Sequence, residues 1–397
     1  MSSSSFVITA ASQISALGCG IGALREALTK PQQPVAIGSF EYHAFDEPVF
    51  GYKVNGFDPE AVLGKKGLRT KDWATKLLLG AFEMGFKEQI AQRTAAGECP
   101  GFAVGTMFGS VASIGDFLSE SIVNGVHAVN PQAFANTVIN APTGNANIRY
   151  ENRTLSATIA NGFGSSFGAL VYATDYLRHG YAESIIAGGF DEISYYTLLG
   201  LQINKLSSNN PITPFAQTPR GLCIGEGCAL FLIESAMRAE TFGVPVLARI
   251  AGIASFFDPP QTGASELPGG EGLDRAIQDA CDQAGITPAQ ISWVASDANG
   301  TVLDGVEAQV LQSIVPHAPV TSYKSRLGEC MGGAQALTVA CAIVDINAQR
   351  ISGIQADYPH SAQTNLVTQT RFCNASYVLI TMLTCEGHCG ALILKRS

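Results

Sequence analysis

The sequence predicts an α/β fold of stacked layers, with sheets buried between helices. Short apolar segments of strand length alternate with helical segments in both halves of the chain, the pattern of sheets covered by helices. Apolar residues make up 46% of the 397 residues and charged residues only 14%, a balance that calls for extensive buried surface. The 42 glycines are spread along the chain, as tight turns and close helix–sheet contacts demand.

The elements follow in order. Phe6-Val-Ile-Thr-Ala opens the chain as a buried strand, and residues 22–28 begin a helix. Over residues 70–86, Trp73, Leu77, Leu78, Ala81 and Met84 recur at helical spacing along one side. Phe102-Ala-Val-Gly-Thr is a strand. Residues 154–160 form another that ends in the turn Asn161-Gly-Phe-Gly164, and a helix runs over 165–179. Ser184-Ile-Ile-Ala-Gly-Gly189 is an apolar strand closed by glycines. A charged helix over 234–241 leads into the second half. That half holds a strand near 244–252, an amphipathic helix over 272–284, a strand over 291–296 and an apolar helix over 333–348. Two closing strands, 377–382 and 391–395, are joined by a tight loop. The similar element order divides the chain into halves 1–243 and 244–397 with mostly parallel sheets, although no residue-level repeat is visible.

Composition excludes several classes. With 24 Lys+Arg against 33 Asp+Glu, the net charge of −9 lacks the basic footprint of a nucleic-acid binder. The N-terminus has no basic segment followed by an apolar core, so no export signal is expected. No run of about 18 apolar residues predicts a membrane span. Ten scattered cysteines without an export signal are expected to be reduced thiols in the cytoplasm. Cys385-Glu-Gly-His388-Cys389 has a faint metal-site look but no second ligand pair, so it reads as a glycine turn and no metal is expected. Gly18-Cys-Gly20-Ile-Gly22 lacks dinucleotide spacing, and no cofactor is expected.

Gly164-Ser-Ser166-Phe-Gly168 matches G-x-S-x-G between a strand and a helix, the setting of a hydrolase nucleophile. The turn apex, however, falls at Gly162-Phe163-Gly164, which places Ser166 inside the helix. His317, His360 and His388 lack a persuasive acid partner. A serine hydrolase using Ser166 is the weaker competing reading.

Several segments together resemble β-ketoacyl synthases. Gly105-Thr-Met-Phe-Gly109 resembles their G-T-G-x-G turn, and Ile186-Ala-Gly-Gly189 their A-G-G strand end. Ile224-Gly-Glu-Gly227 resembles their G-E-G element, and Tyr323-Lys-Ser325 with Gly328 and Gly332-Gly-Ala334 resembles K-S-x-x-G-H-x-x-G-A. The resemblance runs from the first strand to the last. It implies a thiolase fold of duplicated αβαβα layers, dimerisation, and partnership with acyl carrier protein.

At the positions where that chemistry resides, this chain departs from the family. Counting from flanking matches, Phe163 stands where the family has its nucleophilic cysteine, and a phenyl ring cannot attack. The first histidine belongs to A-H-G-T, which here reads Ala298-Asn299-Gly300-Thr301. The second is replaced by Glu329, five residues after Lys324, and Glu329 is expected to pair with Lys324. The family's G-F-G-G gate corresponds to Thr384-Cys-Glu-Gly387, with Cys385 at the gate position. Cys330 reads as a small packed residue in preference to a substitute nucleophile. The resemblance therefore points to a chain length factor, the non-condensing partner of an active ketosynthase in type II polyketide systems. Phe108, after G-T-G, Ala112 and Asp116 on the helix that follows, where such relatives place size-determining residues, and Phe134 of the Pro131–Phe134 loop that resembles one reaching the partner's pocket, are expected to line the shared tunnel, with plain core packing as the alternative for both phenylalanines. A malonyl-carrier-protein decarboxylase is the alternative activity, disfavoured because Phe163 supplies no amide.

Overall fold

The computed structural model describes residues 6–37, 49–206, 208–259, 267–354, 358–361 and 363–397. In the first half, β1 (Phe6–Ser15), α1 (Trp73–Ala95), β2 (Gly101–Gly105) and α2 (Val111–Asn124) are followed by β3 (Ser156–Ile159), α3 (Ser165–Arg178), β4 (Ser184–Asp191), α4 (Tyr195–Ile203) and β5 (Gly227–Ser235). The second half contains β6 (Ala248–Phe257), α5 (Glu271–Ala284), β7 (Trp293–Ala295), α6 (Leu303–Ile314) and β8 (Val320–Thr321), then α7 (Ala334–Asn347), β9 (Tyr377–Leu383) and β10 (His388–Lys395).

The strands join in the order β8-β7-β9-β10-β6-β1-β5-β4-β2-β3. Read outward from the centre, each half repeats one topology: first strand, fifth, fourth, second, third. The first-to-fifth and fifth-to-fourth pairings are antiparallel in both halves, and the outer two pairings are parallel. The expectation of mostly parallel sheets is thus corrected. Adding the last strand of each half between the first and fourth makes the sheet mixed, and the closing hairpin β9–β10 needs only a tight turn to do so.

Alternation along the central strands explains the layers. Leu230 and Leu232 of β5 face α1 with Leu77, Leu78 and Phe82, whereas Phe231 and Ile233 face the middle. On β9 and β10, Leu379 and Ile393 pack with Leu273 and Ile277 of α5, whereas Val378, Ile380, Leu392 and Leu394 face inward. The inward sets meet in one core that also holds Phe167 and Leu170 of α3 and Leu337 and Val339 of α7. Helix, sheet, helix pair, sheet, helix is the expected αβαβα stack.

Two local readings change. Met84 is 37% exposed rather than part of the α1 core stripe, because the helix turns that face away from the sheet. Glu234 lies in β5, not in the helix that follows (Ala236–Thr241). It is tolerated inside because Arg93 of α1 meets it at 2.5 Å with both side chains fully buried, and Thr9 donates to it at 2.6 Å. No described helix is long and apolar enough to cross a membrane.

The N-terminus of α3 sits hard against β2. A Cβ on Gly105 would lie 2.3 Å from the carbonyl carbon of Ser165, where backbone cannot yield. Gly105→Ala is therefore expected to destabilise the chain by at least about 1–3 kcal/mol. Gly22→Ala, which meets nothing within 4 Å, is expected to stay within about 0.5 kcal/mol. Thermal unfolding of the two variants beside the parent checks the pair.

Candidate functional site

The site begins at the turn before α3. Gly162–Gly164 forms a single 3-10 turn, entered with Gly162 at φ +68°. Ser165 fixes it from both sides: its Oγ donates to the Gly162 carbonyl at 2.6 Å and accepts from the Asn161 N–H at 3.1 Å. Phe163 is thereby held at the mouth of a 14-residue helix, where a helix dipole favours a thiolate. The backbone arrangement for a nucleophile is present, and the side chain is a half-buried phenyl ring packed in a cluster with Phe108, Leu198, Ile224 and Met331.

Across a cavity of about 140 Å³ from Phe163 lie Asn299, Lys324 and Glu329, with Asp297, Leu383 and Cys385 also lining it. The expected pair forms: Lys324 Nζ donates to Glu329 at 2.8 Å. It is one arm of a larger network, since Lys324 also bonds Asp297. Asn299 Nδ2 donates to the same Glu329 oxygen at 2.9 Å, and the second Glu329 oxygen accepts from the Met331 N–H at 3.1 Å. Gln335 donates to Asp297, as does the Leu383 N–H at 2.9 Å. Lys324, Asp297 and Glu329 are all buried. Burial alone would depress the Lys324 ammonium, but the two carboxylates outweigh it and hold its pKa well above the ordinary lysine range. Burial acts on Asp297 in the opposite sense and raises it, with Lys324 pulling it back.

The loop that carries Asn299 is pinned from below. Asp304, at the start of α6, accepts from the N–H groups of Asn299, Gly300 and Phe215 at 3.0, 3.0 and 2.8 Å. Burial lifts its carboxyl to about 6 despite those donors. Glu307, one turn on, accepts from Ser296 and from the Asp297 N–H, and burial with Asp297 nearby pushes it to about 7. Among the described residues no histidine lines this cavity. The pocket thus holds an ammonium and carboxylates bonded to one another, a phenyl ring and, at its rim, the Cys385 thiol.

Other candidates take definite places. Ser166 is fully buried inside the first turn of α3, where its Oγ accepts from the Ala336 N–H at 3.1 Å. It belongs to the packing of α3 on α7 and has no elbow geometry. Cys330 is fully buried with its thiol directed at the Leu327 carbonyl, and burial raises its pKa far above the ordinary value. Cys385 and Cys389 sit at opposite ends of the hairpin turn: Cys389 is buried in the α5 core, whereas Cys385 is exposed at the cavity rim. Although Cys385 is exposed as a residue, enclosure at that rim and the adjacent Glu386 carboxylate push its thiol up to about 12.

The four tunnel candidates divide. Ala112 and Asp116 line a second cavity of about 470 Å³ with Trp73, Glu192, Tyr195, Tyr196 and Glu226. Asp116 accepts from the Tyr196 hydroxyl at 3.2 Å. Phe108 instead packs, as Phe163 does, against the buried cluster of Leu198, Ile224 and Met331. Phe134 is 59% exposed, its ring 6.0 Å from that of Phe117. Within one protomer the four do not line a single channel.

Sequence reasoning missed Asp297, Gln335 and Glu386. Asp297 stands two residues before Asn299 at the end of β7, but its role needs Lys324, which arrives from a distant turn. Glu386 was visible only as filler in a cysteine cluster. The network yields a sharp expectation. Lys324→Met leaves two buried carboxylates without their cation and is expected to cost about 3–5 kcal/mol. Asp297, already raised by burial, then loses the cation that pulls it back and rises further above its unfolded value. Proton uptake therefore rescues the variant at low pH, and the rescue is lost as pH rises through the folded value. Relative to the parent, denaturation midpoints should fall further at pH 8 than at pH 5. Asp297→Asn/Lys324→Met/Glu329→Gln should abolish that added slope.

The chain matches two family models: beta-ketoacyl synthase, N-terminal domain, over residues 46–239, and beta-ketoacyl synthase, C-terminal domain, over 247–354. It is 24% identical over 358 residues to 3-oxoacyl-[acyl-carrier-protein] synthase 2 of Coxiella burnetii, covering 86% of this chain and 85% of that one. Among solved structures it is similar to the ishigamide ketosynthase/chain length factor, with TM-score 0.91, 20% identity and 99% of each chain covered. It is also similar to a chain of the ketosynthase in complex with its chain length factor from Xenorhabdus doucetiae, with TM-score 0.83, 19% identity and 99% and 98% covered. With both family domains matched in order and the duplicated αβαβα stack in place, this chain belongs to the β-ketoacyl synthase family and has its thiolase-like fold.

Proposed function

We propose that this chain is a non-condensing subunit of the chain length factor kind, which binds an active ketosynthase and helps shape the tunnel in which a carrier-bound polyketide chain grows. The observation that carries this reading is Phe163 at the mouth of α3, facing Asn299 and Glu329 already bound into the Lys324 network. Every position that would handle an acyl thioester is either apolar or committed to an internal partner.

The surface supports a protein partner. Helix α2 has no buried residue in the isolated chain, and its Ile122 is 81% exposed. Leu118, Val123, Val126, Phe134, Val138, Ile139 and Ile148 are exposed as well, and a group of exposed apolar side chains favours a protein contact. Strand β3 is the edge of the sheet on that side, paired only to β2 among the described strands. An open edge beside an apolar face suits a partner that continues the sheet. The similarity in fold to chains of ketosynthase/chain length factor pairs agrees with this reading. The second cavity, with Ala112 and Asp116, opens beside the same helix and is the best candidate for a tunnel wall. The carrier protein and the cytoplasmic setting follow from the same reading.

The test is co-expression with the ketosynthase encoded beside it, followed by native mass spectrometry and product analysis. A one-to-one complex is expected, and absence of association with the ketosynthase would overturn the proposal. The isolated chain should release no carbon dioxide from malonyl-carrier protein. Within the complex, Ala112→Phe fills part of the second cavity and is expected to shorten the product by at least one extension unit with assembly intact.

A further inference from the structure

The hairpin turn between β9 and β10 does more than replace a gate. Its backbone is held from both ends. The Gly387 N–H donates to the Thr384 carbonyl at 3.0 Å, and the Gly387 carbonyl accepts from the Asp258 N–H at 2.8 Å. Gly387, at φ +98°, lies so close to Asp258 that a Cβ would meet its carbonyl oxygen at 2.4 Å. This anchored turn aims Glu386 at the start of α3. The Glu386 carboxylate accepts from the Phe163 N–H at 3.3 Å. It also lies over Gly162, where a Cβ would come within 2.3 Å of Glu386 Oε1. Its other oxygen accepts from the Cys385 thiol at 3.6 Å.

The amide capped in this way matters chemically. A nucleophile at position 163 depends on the positive end of α3 to stay ionised. A backbone N–H beside the attacking atom is also the kind of donor that stabilises the oxyanion of acyl transfer. Glu386 places a carboxylate on that donor. At Cys385, burial and then the same carboxylate hold the neighbouring thiol up, at about 12.

We propose that Glu386 is a second, independent lock on this pocket, occupying the amide that a nucleophile at position 163 would need, so that restoring a thiol there does not restore a reactive one. The inference rests on the reading of the pocket as retired and deepens it, since the loss then does not lie in Phe163 alone. Glu386 acts here as a positioning and blocking residue. The other charged or titratable groups facing this spot are Cys385 and His388 on the hairpin, Asp258 behind it, and Asp297, Lys324 and Glu329 across the cavity.

The test compares Phe163→Cys with Phe163→Cys/Glu386→Gln in the full chain. Alkylation by iodoacetamide is followed at position 163 by peptide mass spectrometry as a function of pH. With Glu386 present, the new thiol should titrate at or above the value of a free cysteine, about 8.5. With glutamine at 386, the midpoint should fall by at least about one unit, giving about tenfold more thiolate at neutral pH. Equal midpoints with and without the Glu386→Gln change would overturn the proposal. A variant that does not need the new cysteine keeps the question answerable. In the otherwise native chain, Glu386→Gln should speed hydrogen exchange of the Phe163 amide by about tenfold or more, and unchanged exchange would count against the lock. Failure of the underlying reading would appear elsewhere, as condensation or decarboxylation by the unaltered isolated chain.

Discussion

The buried ammonium of Lys324 is the constraint around which the pocket is arranged. An ion cannot remain inside a protein without opposite charge and hydrogen bonds to replace water. Here Asp297 and Glu329 supply the charge, at the end of β7 and in the turn before α7. Two anions against one cation leave a surplus, and the surrounding donors meet it: Asn299 and the Met331 N–H toward Glu329, Gln335 and the Leu383 N–H toward Asp297. The same bonds fix the Asn299 loop, the turn before α7 and the end of β9 relative to one another. A network of this kind holds its shape because each member would be costly to leave unpaired. A group that gave up one of these bonds to a ligand would leave a buried partner exposed to that cost.

The duplicated topology explains why these parts meet at all. Each half feeds a helix into the middle layer, α3 from one and α7 from the other, and each helix is entered through a 3-10 turn, Gly162–Gly164 and Met331–Gly333. Both turns begin with a residue in the left-handed region, Gly162 at φ +68° and Met331 at +50°. Glycine carries that conformation without cost, whereas Met331 holds it inside a tight fit. A Cβ on the following Gly332 would lie 2.4 Å from the Met107 nitrogen, and its own N–H donates to Asp191 at 2.8 Å. The site therefore lies where two related helix starts converge, with the hairpin turn of the second half reaching across to the first.

Much of this was legible in the sequence because it is written in local patterns. The G-F-G turn before a helical segment located the start of α3, and the short apolar runs of β4, β9 and β10 marked buried strands, whereas β5 was not read as a strand. The spacing of five residues between Lys324 and Glu329 was enough to expect their pairing, since a short turn brings such positions together. What remained hidden was non-local. Asp297 completes the Lys324 pair from a strand distant in sequence, and the Glu234–Arg93 bond joins β5 to α1 across 141 positions. Charge in the segment after residue 233 suggested helix, because a buried acid in a strand betrays itself only through its partner. The mixed sheet was hidden for a similar reason: strand direction depends on which neighbours pair, and an apolar run reads the same in either orientation.

The tunnel residues expose a further limit, and it bears on how the molecule works. Ala112 and Asp116 share a cavity, Phe108 packs against the Leu198, Ile224 and Met331 cluster, and Phe134 faces outward. One chain alone does not bring these side chains to a common void. The apolar surface of α2 and its neighbours, together with the open edge of β3, lies on the side where they diverge. If a partner covers that face, Phe134 gains the burial it lacks here, and the cavity beside Ala112 acquires its missing wall. The pocket at Phe163 is bonded within the chain: Lys324 joins Glu329 and Asp297, Asn299 joins Glu329, and Glu386 accepts from the Phe163 N–H. The contrast is physical: the polar side chains of one cavity are bonded to one another, whereas the other opens beside an exposed apolar helix face, and it is through the second that the proposed contribution to a tunnel would come.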